Sequence, residues 1–177
     1  GGDAGAMLTL ACMLIAGDGV AADPVRARTL IEASIAGGNV QAGAVALGGL
    51  LRQSEPADFP GAVAAYQQAI DAGSTWAMLS MAEMVLAGQG VAVDPDKARA
   101  LIERAVAGGN VSAGAMALGD FYRLAATPDL ELALAAAQDL LHGVEGGEEA
   151  ADLVVEHAAH RGAAVDANEL DGGGGEP

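Results

Sequence analysis

Aromatic side chains make up only 3% of this 177-residue chain: one Trp, two Tyr and two Phe. A core here cannot rest on large anchors and must come from close approach of small side chains. Lysine is almost missing, with Lys97 alone. Together with eight basic residues against 24 acidic ones and a net charge of −16, this argues against nucleic acid, whose phosphates need clustered Lys and Arg. It also disfavours anionic membrane surfaces. One cysteine, Cys12, excludes an internal disulfide and leaves the compartment open. No run is long and apolar enough for a membrane helix: the uncharged stretch over residues 33–51 is interrupted by Gly37, Gly38, Asn39 and Gln41. The apolar start of the chain has no basic region before it and carries Asp3, so it does not read as a signal segment.

What the chain does have is alanine, with leucine, valine and methionine. Apolar residues reach 52%, and the mean hydropathy is +0.33. Alanine and leucine are strong helix formers, so an all-α chain is expected.

The sequence also repeats itself. Residues 6–52 match residues 77–123 at a shift of 71, with 29 identities in 47 positions. AGDGVAADPVRARTLIEASIAGGNVQAGAVALG in the first copy returns as AGQGVAVDPDKARALIERAVAGGNVSAGAMALG. The shift is itself double. Ala6, Gly43, Ala77 and Gly114 align in steps of 37, 34 and 37, each with an apolar residue four positions later: Leu10, Leu47, Met81 and Leu118. A spacing of four returns to one helical face. Four helix-turn-helix units follow, at about residues 4–38, 41–73, 75–109 and 112–143, each of the size of known two-helix repeats.

Within the third unit a helix is expected over about residues 75–87, stopped by Gly88 in a left-handed cap. Asp94-Pro95 then starts a second helix, Asp as N-cap and Pro at the first position, with Ala98, Leu101, Ile102 and Ala105 forming its apolar stripe. The first unit does the same with Gly17, Asp23-Pro24, Ala27, Leu30 and Ile31. Units two and four replace the glycine loop by residues 54–60 and 125–128, and their second helices are expected to start near Pro60 and Pro128. Tyr66, Ala69 and Ile70 are core candidates in the former. A further amphipathic helix over residues 146–162 suits the polar cap that a solenoid needs. Residues 163–177, ending DGGGGEP, read as a flexible tail. The first unit opens on apolar residues with no such cap before it, so the chain is expected to belong to a longer one.

The third unit resembles the Sel1-like repeat, a relative of the tetratricopeptide repeat. The resemblance rests on Ala77, Met81-Ala82, Val85, Gly88-Gln89-Gly90-Val91, Asp94, Lys97-Ala98, Leu101, Ala105-Val106 and Gly109. Unit one carries Gly17-Asp18-Gly19-Val20, Asp23 and Arg26-Ala27, and unit four Leu118-Gly119-Asp120-Phe121-Tyr122. The aromatic position of the pattern is filled only by Tyr122, and Leu30 and Leu101 stand where a Trp is expected. The resemblance implies a right-handed α/α solenoid that binds proteins without catalysis. Bacterial members of the family sit in the cytoplasm or the periplasm, and the chain is expected to be soluble in one of them. Some members are regulatory or substrate-positioning parts of larger enzymes or sensors, which is the alternative reading.

Candidate chemistry is thin. The loops Gly17-Asp18-Gly19 and Gly88-Gln89-Gly90 have no strand before them and no Gly-Lys-Ser/Thr after them, so they read as helix caps rather than phosphate cradles. Asp23 and Asp94 read as N-caps, Cys12 as a small hydrophobe without a base in reach, and His142 as a cation at a helix C-terminus. Asp152, Glu156, His157 and His160 are the one cluster with ligand-like side chains at helical spacing, though their order, Glu-His-Ala-Ala-His, is not that of a metalloprotease. No catalytic residue and no cofactor are expected. The partner surface is expected on the first helices of successive units, at Met13, Gln53, Glu83, Met84, Asp120 and Arg123, with Cys12 and Gly49 beside them. The occupant would be a protein or peptide, and the acidity favours a basic one.

Overall fold

The computed structural model of the protein describes residues 2–124 together with Ala135. Seven helices occupy this span: α1 (Ala4–Ala16), α2 (Pro24–Ala36), α3 (Val40–Gln53), α4 (Phe59–Asp71), α5 (Thr75–Ala87), α6 (Pro95–Ala107) and α7 (Val111–Leu124). Among the described residues there is no strand, so the chain is all-α, as its composition demands. The expected second helix of unit four, the capping helix at 146–162, the tail at 163–177 and the cluster Asp152, Glu156, His157 and His160 lie outside the described residues. No described helix is long and apolar enough to cross a membrane.

Local chemistry sets the helix limits. Asp23 Oδ1 accepts the backbone N–H of Arg26 at 2.9 Å, with Pro24 opening α2. Asp3 caps α1 through Gly5 N at 2.9 Å, and Ser74 caps α5 through Ala77 N at 3.4 Å. In α4 the cap is Asp58, which accepts from Gly61 N at 2.9 Å; the helix starts at Phe59 with Pro60 behind it. Each such cap satisfies one orphan donor and is worth about 1 kcal/mol. Gly17 and Gly88 end α1 and α5 in the left-handed region, at φ 70° and 66°, where a side chain would be strained. Both copies also carry the same exposed ion pair: Arg28 Nε to Glu32 Oε1 at 2.9 Å, and Arg99 Nε to Glu103 Oε1 at 2.8 Å. The hydrogen bond from Arg28 to the Glu32 carboxylate pushes the guanidinium up from its ordinary value.

The chain forms two compact units, one ending at Asp94 and the other beginning at Pro95. In the first, each helix packs on the next from α1 to α5, and α1 also reaches α3. Ala11, Leu14, Ala27 and Ile31 form a buried centre, with Leu8, Leu10, Leu30 and Leu47 partly buried around it. Ser34, fully buried on α2, donates to the carbonyl of Ala4 at 2.6 Å and accepts from Asn39 Nδ2 at 3.3 Å, so the one polar side chain in this contact has its partners. The expected core positions Tyr66, Ala69 and Ile70 of α4 are buried.

Close approach replaces aromatic bulk here. A β-carbon on Gly48 would stand 2.6 Å from Tyr66 Cε1, and one on Gly43 would stand 2.6 Å from Ile35 Cγ1. With glycine at these points α3 sits directly against the side chains of α4 and α2. The second unit repeats the device: a β-carbon on Gly114 of α7 would meet Val106 of α6 at 2.3 Å. Leu101, Ile102, Ala105 and Val106 of α6 and Ala115 and Leu118 of α7 are buried.

Of the four residues that align the units, Gly43, Ala77 and Gly114 are buried, while Ala6 is exposed. Met84 corrects an expectation. Placed on the partner surface by its spacing, it is 0% exposed. It shares a stripe with Ala77 and Met81 on the helix that α4 packs against, so this position belongs to the core.

Candidate functional site

Rows of side chains at least partly in solvent run along α3 and α5. On α5 the row is Trp76, Ser80, Glu83 and Ala87, spaced i, i+4, i+7 and i+11 on one helical face. Trp76 is 62% exposed. On α3 the repeat register places Ala42, Ala46, Gly49 and Gln53 in the same row, and Ala42 and Gln53 are exposed. Arg52, next to Gln53, joins α3 to the row of α5 by an ion pair, Arg52 Nη1 to Glu83 Oε2 at 2.9 Å. Glu83, with 61% of its side chain exposed, thus stands seven residues from Trp76 on α5 and against the last turn of α3.

Of the residues expected at a partner surface, Glu83 is tied to α3 by this ion pair, and Gln53 is exposed next to Arg52 in the chain. Met13 is 36% exposed, but it is one position off the row that holds Cys12, and its Cε lies 3.8 Å from where a β-carbon on Gly19 would stand. Asp120 is half-buried on α7, in the second compact unit. Arg123 lies in the last turn of α7. Met84 is in the core.

Two residues escaped the sequence reading. Trp76 is the only Trp of the chain and stands second in α5, where the repeat pattern asks for no aromatic. Its rarity was the available signal. Arg52 recurs as Arg123 at the 71-residue shift, which marked the position as repeated without showing its partner. Among the described residues no group of three metal-ligating side chains comes together.

Neither a family model nor a curated protein matches the sequence. A solved structure does: the Sel1 repeat protein from Oxalobacter formigenes, at 22% identity and a TM-score of 0.61, over 90% of this chain and 74% of that one. The fold is that of a Sel1-repeat solenoid.

Proposed function

We propose that this chain is a non-catalytic scaffold or adaptor that binds a partner protein or peptide across the exposed rows of α3 and α5. The observation that carries this reading is Trp76. In a chain with so few aromatics, its one indole stands 62% in solvent, on the same helix face as Glu83, which is ion-paired to Arg52 of α3. Exposed Trp and Arg are the side chains that most often dominate protein interfaces. The small residues around them, Ala42, Ala46 and Gly49, leave room for a partner's side chains at the surface.

Charge divides the partner's options. Residues 2–124 hold 12 of the 24 acidic and seven of the eight basic residues, whereas residues 125–177 hold 12 acidic residues and Arg161 alone. A preference for a basic partner therefore belongs to the acid-rich end of the sequence. The row around Trp76, where Glu83 is paired with Arg52, favours an apolar contact rimmed by charge. Binding there would depend weakly on salt.

The test is affinity capture with the intact chain, followed by binding measurements on the purified partner. Trp76→Ala is expected to weaken the captured complex by about 2 kcal/mol, and Glu83→Lys to weaken it further by breaking the pair with Arg52. Capture undiminished by both variants would remove this surface from the function.

A further inference from the structure

α3 and α5 are interior helices whose solvent rows remain after their own packing. α3 packs on α2 and α4, and α5 packs on α4. Each is joined to α4 by a short connection, residues 54–58 and 72–74, so two successive antiparallel hairpins leave α3 and α5 parallel. The repeat step of 34 then sets their rows level by level: Ala42 with Trp76, Ala46 with Ser80, Gly49 with Glu83, and Gln53 with Ala87. Wherever one helix carries a large side chain, the other carries Ala or Gly. A two-fold axis lying in this face, parallel to both helices and midway between them, exchanges α3 and α5 at every level. Across it Trp76 meets the partner's Ala42, Ser80 the partner's Ala46, Glu83 the partner's Gly49, and Gln53 the partner's Ala87. No level sets two large side chains against each other, which is the self-complementarity that an isologous contact requires.

We propose that the protein this surface binds is a second copy of the chain, each Trp76 seated on the partner's Ala42. The proposal rests on the reading of the α3 and α5 rows as the binding surface and names its occupant. Charge permits the contact. The chain carries −16 in all, yet the two rows hold one charged residue, Glu83, and Arg52 compensates it. Two such faces therefore meet without an unpaired charge between them. The size of the face sets the strength. Helices of 14 and 13 residues are about 20 Å long and stand about 10 Å apart. Two copies then bury roughly 800 Å² in total, less than the 1,200 Å² or more of stable complexes. The dimer is weak and forms at high protein concentration.

Trp76 makes the proposal measurable, because the only indole of the chain lies at the contact. Sedimentation equilibrium and tryptophan emission of the intact chain are followed together up to about 0.5 mM, in about 0.15 M salt, which screens the repulsion between two acidic molecules beyond about 8 Å. A monomer–dimer equilibrium is expected, with the emission moving to shorter wavelength as the dimer forms. Trp76→Ala removes the knob and Ala42→Arg fills its seat. Both positions are exposed, and circular dichroism checks that the helices remain. Each variant alone is expected to dimerise about tenfold or more weakly than the parent chain. Mixed one to one, they are expected to associate again: the Trp76 of one then meets the intact Ala42 of the other, and Arg meets Ala at the second seat. A loss of folding would not give that rescue. A dimer whose emission does not move, or one indifferent to both variants, would place the contact elsewhere and overturn the proposal, as would a mixture no tighter than its components. A chain monomeric throughout, whose capture of a different protein still needs Trp76, would overturn the second copy as occupant and leave the surface standing. If Trp76→Ala changes neither association nor capture, both readings fall.

Discussion

Gly48 and Gly49 are adjacent glycines in one helix with opposite consequences. Helix propensity alone predicts that alanine at either position stabilises α3 by roughly 0.5–1 kcal/mol. The tertiary environment separates them. A β-carbon on Gly48 would overlap the buried ring of Tyr66, whose Cε1 is 2.6 Å away, while the nearest atom for Gly49 is Tyr66 Oη at 3.9 Å. Gly48→Ala is therefore expected to destabilise the protein by about 1–3 kcal/mol, and Gly49→Ala to stabilise it by up to about 1 kcal/mol, both read from chemical denaturation. Equal effects would mean that α3 and α4 are less tightly apposed. The repeat pointed at Gly48, which returns as Gly119, but the reason lies in a ring on the next helix. Met13 and Met84 teach the same lesson. They are identical residues at equivalent positions, yet Met84 is buried on a helix that packs against α4 and Met13 is 36% exposed.

The elements were legible where their signals are local. Asp23-Pro24 and Gly17 state the start of α2 and the end of α1 within a few residues of sequence, because a cap needs only a side chain and the backbone beside it. Pro60 likewise marked α4, although the capping residue proved to be Asp58, two positions earlier. Asp58→Ala is expected to cost about 1 kcal/mol in thermal or chemical denaturation and to fray the first turn of α4. An unchanged midpoint would show that Phe59 and Pro60 define the helix start without help. The exposed row of α5 was legible in part. Glu83 was found because it follows Met81-Ala82 on the first helix of its unit, where the repeat register places the partner surface. Trp76 was missed because an aromatic carries no such sign: buried and exposed indoles look alike in a sequence.

For the molecule as a whole, charge is the dominant long-range term. A net charge of −16 on 177 residues repels itself in the compact state, and salt screens that repulsion over a Debye length of about 10 Å at 0.1 M. Raising sodium chloride from low to moderate concentration is expected to raise the melting midpoint by about 2–4 °C, the shift that corresponds to roughly 1 kcal/mol for a chain of this size. A midpoint that falls would mean that pairs such as Arg28–Glu32 and Arg52–Glu83 outweigh the repulsion, contrary to the small worth of exposed ion pairs.

The helical class, the repeat of 71 residues and most helix ends were written in the chain itself, because propensity, periodicity and capping act over a few neighbouring residues. Which apolar row each helix would bury was not, because burial is a property of two elements brought together. Ala6 and Ala77 are the same residue in nearly the same sentence of sequence. Ala77 is hidden from water on α5, which packs against α4 with Phe59 close to Gly90, while Ala6 on α1 is exposed: the neighbouring element, not the residue, decides burial.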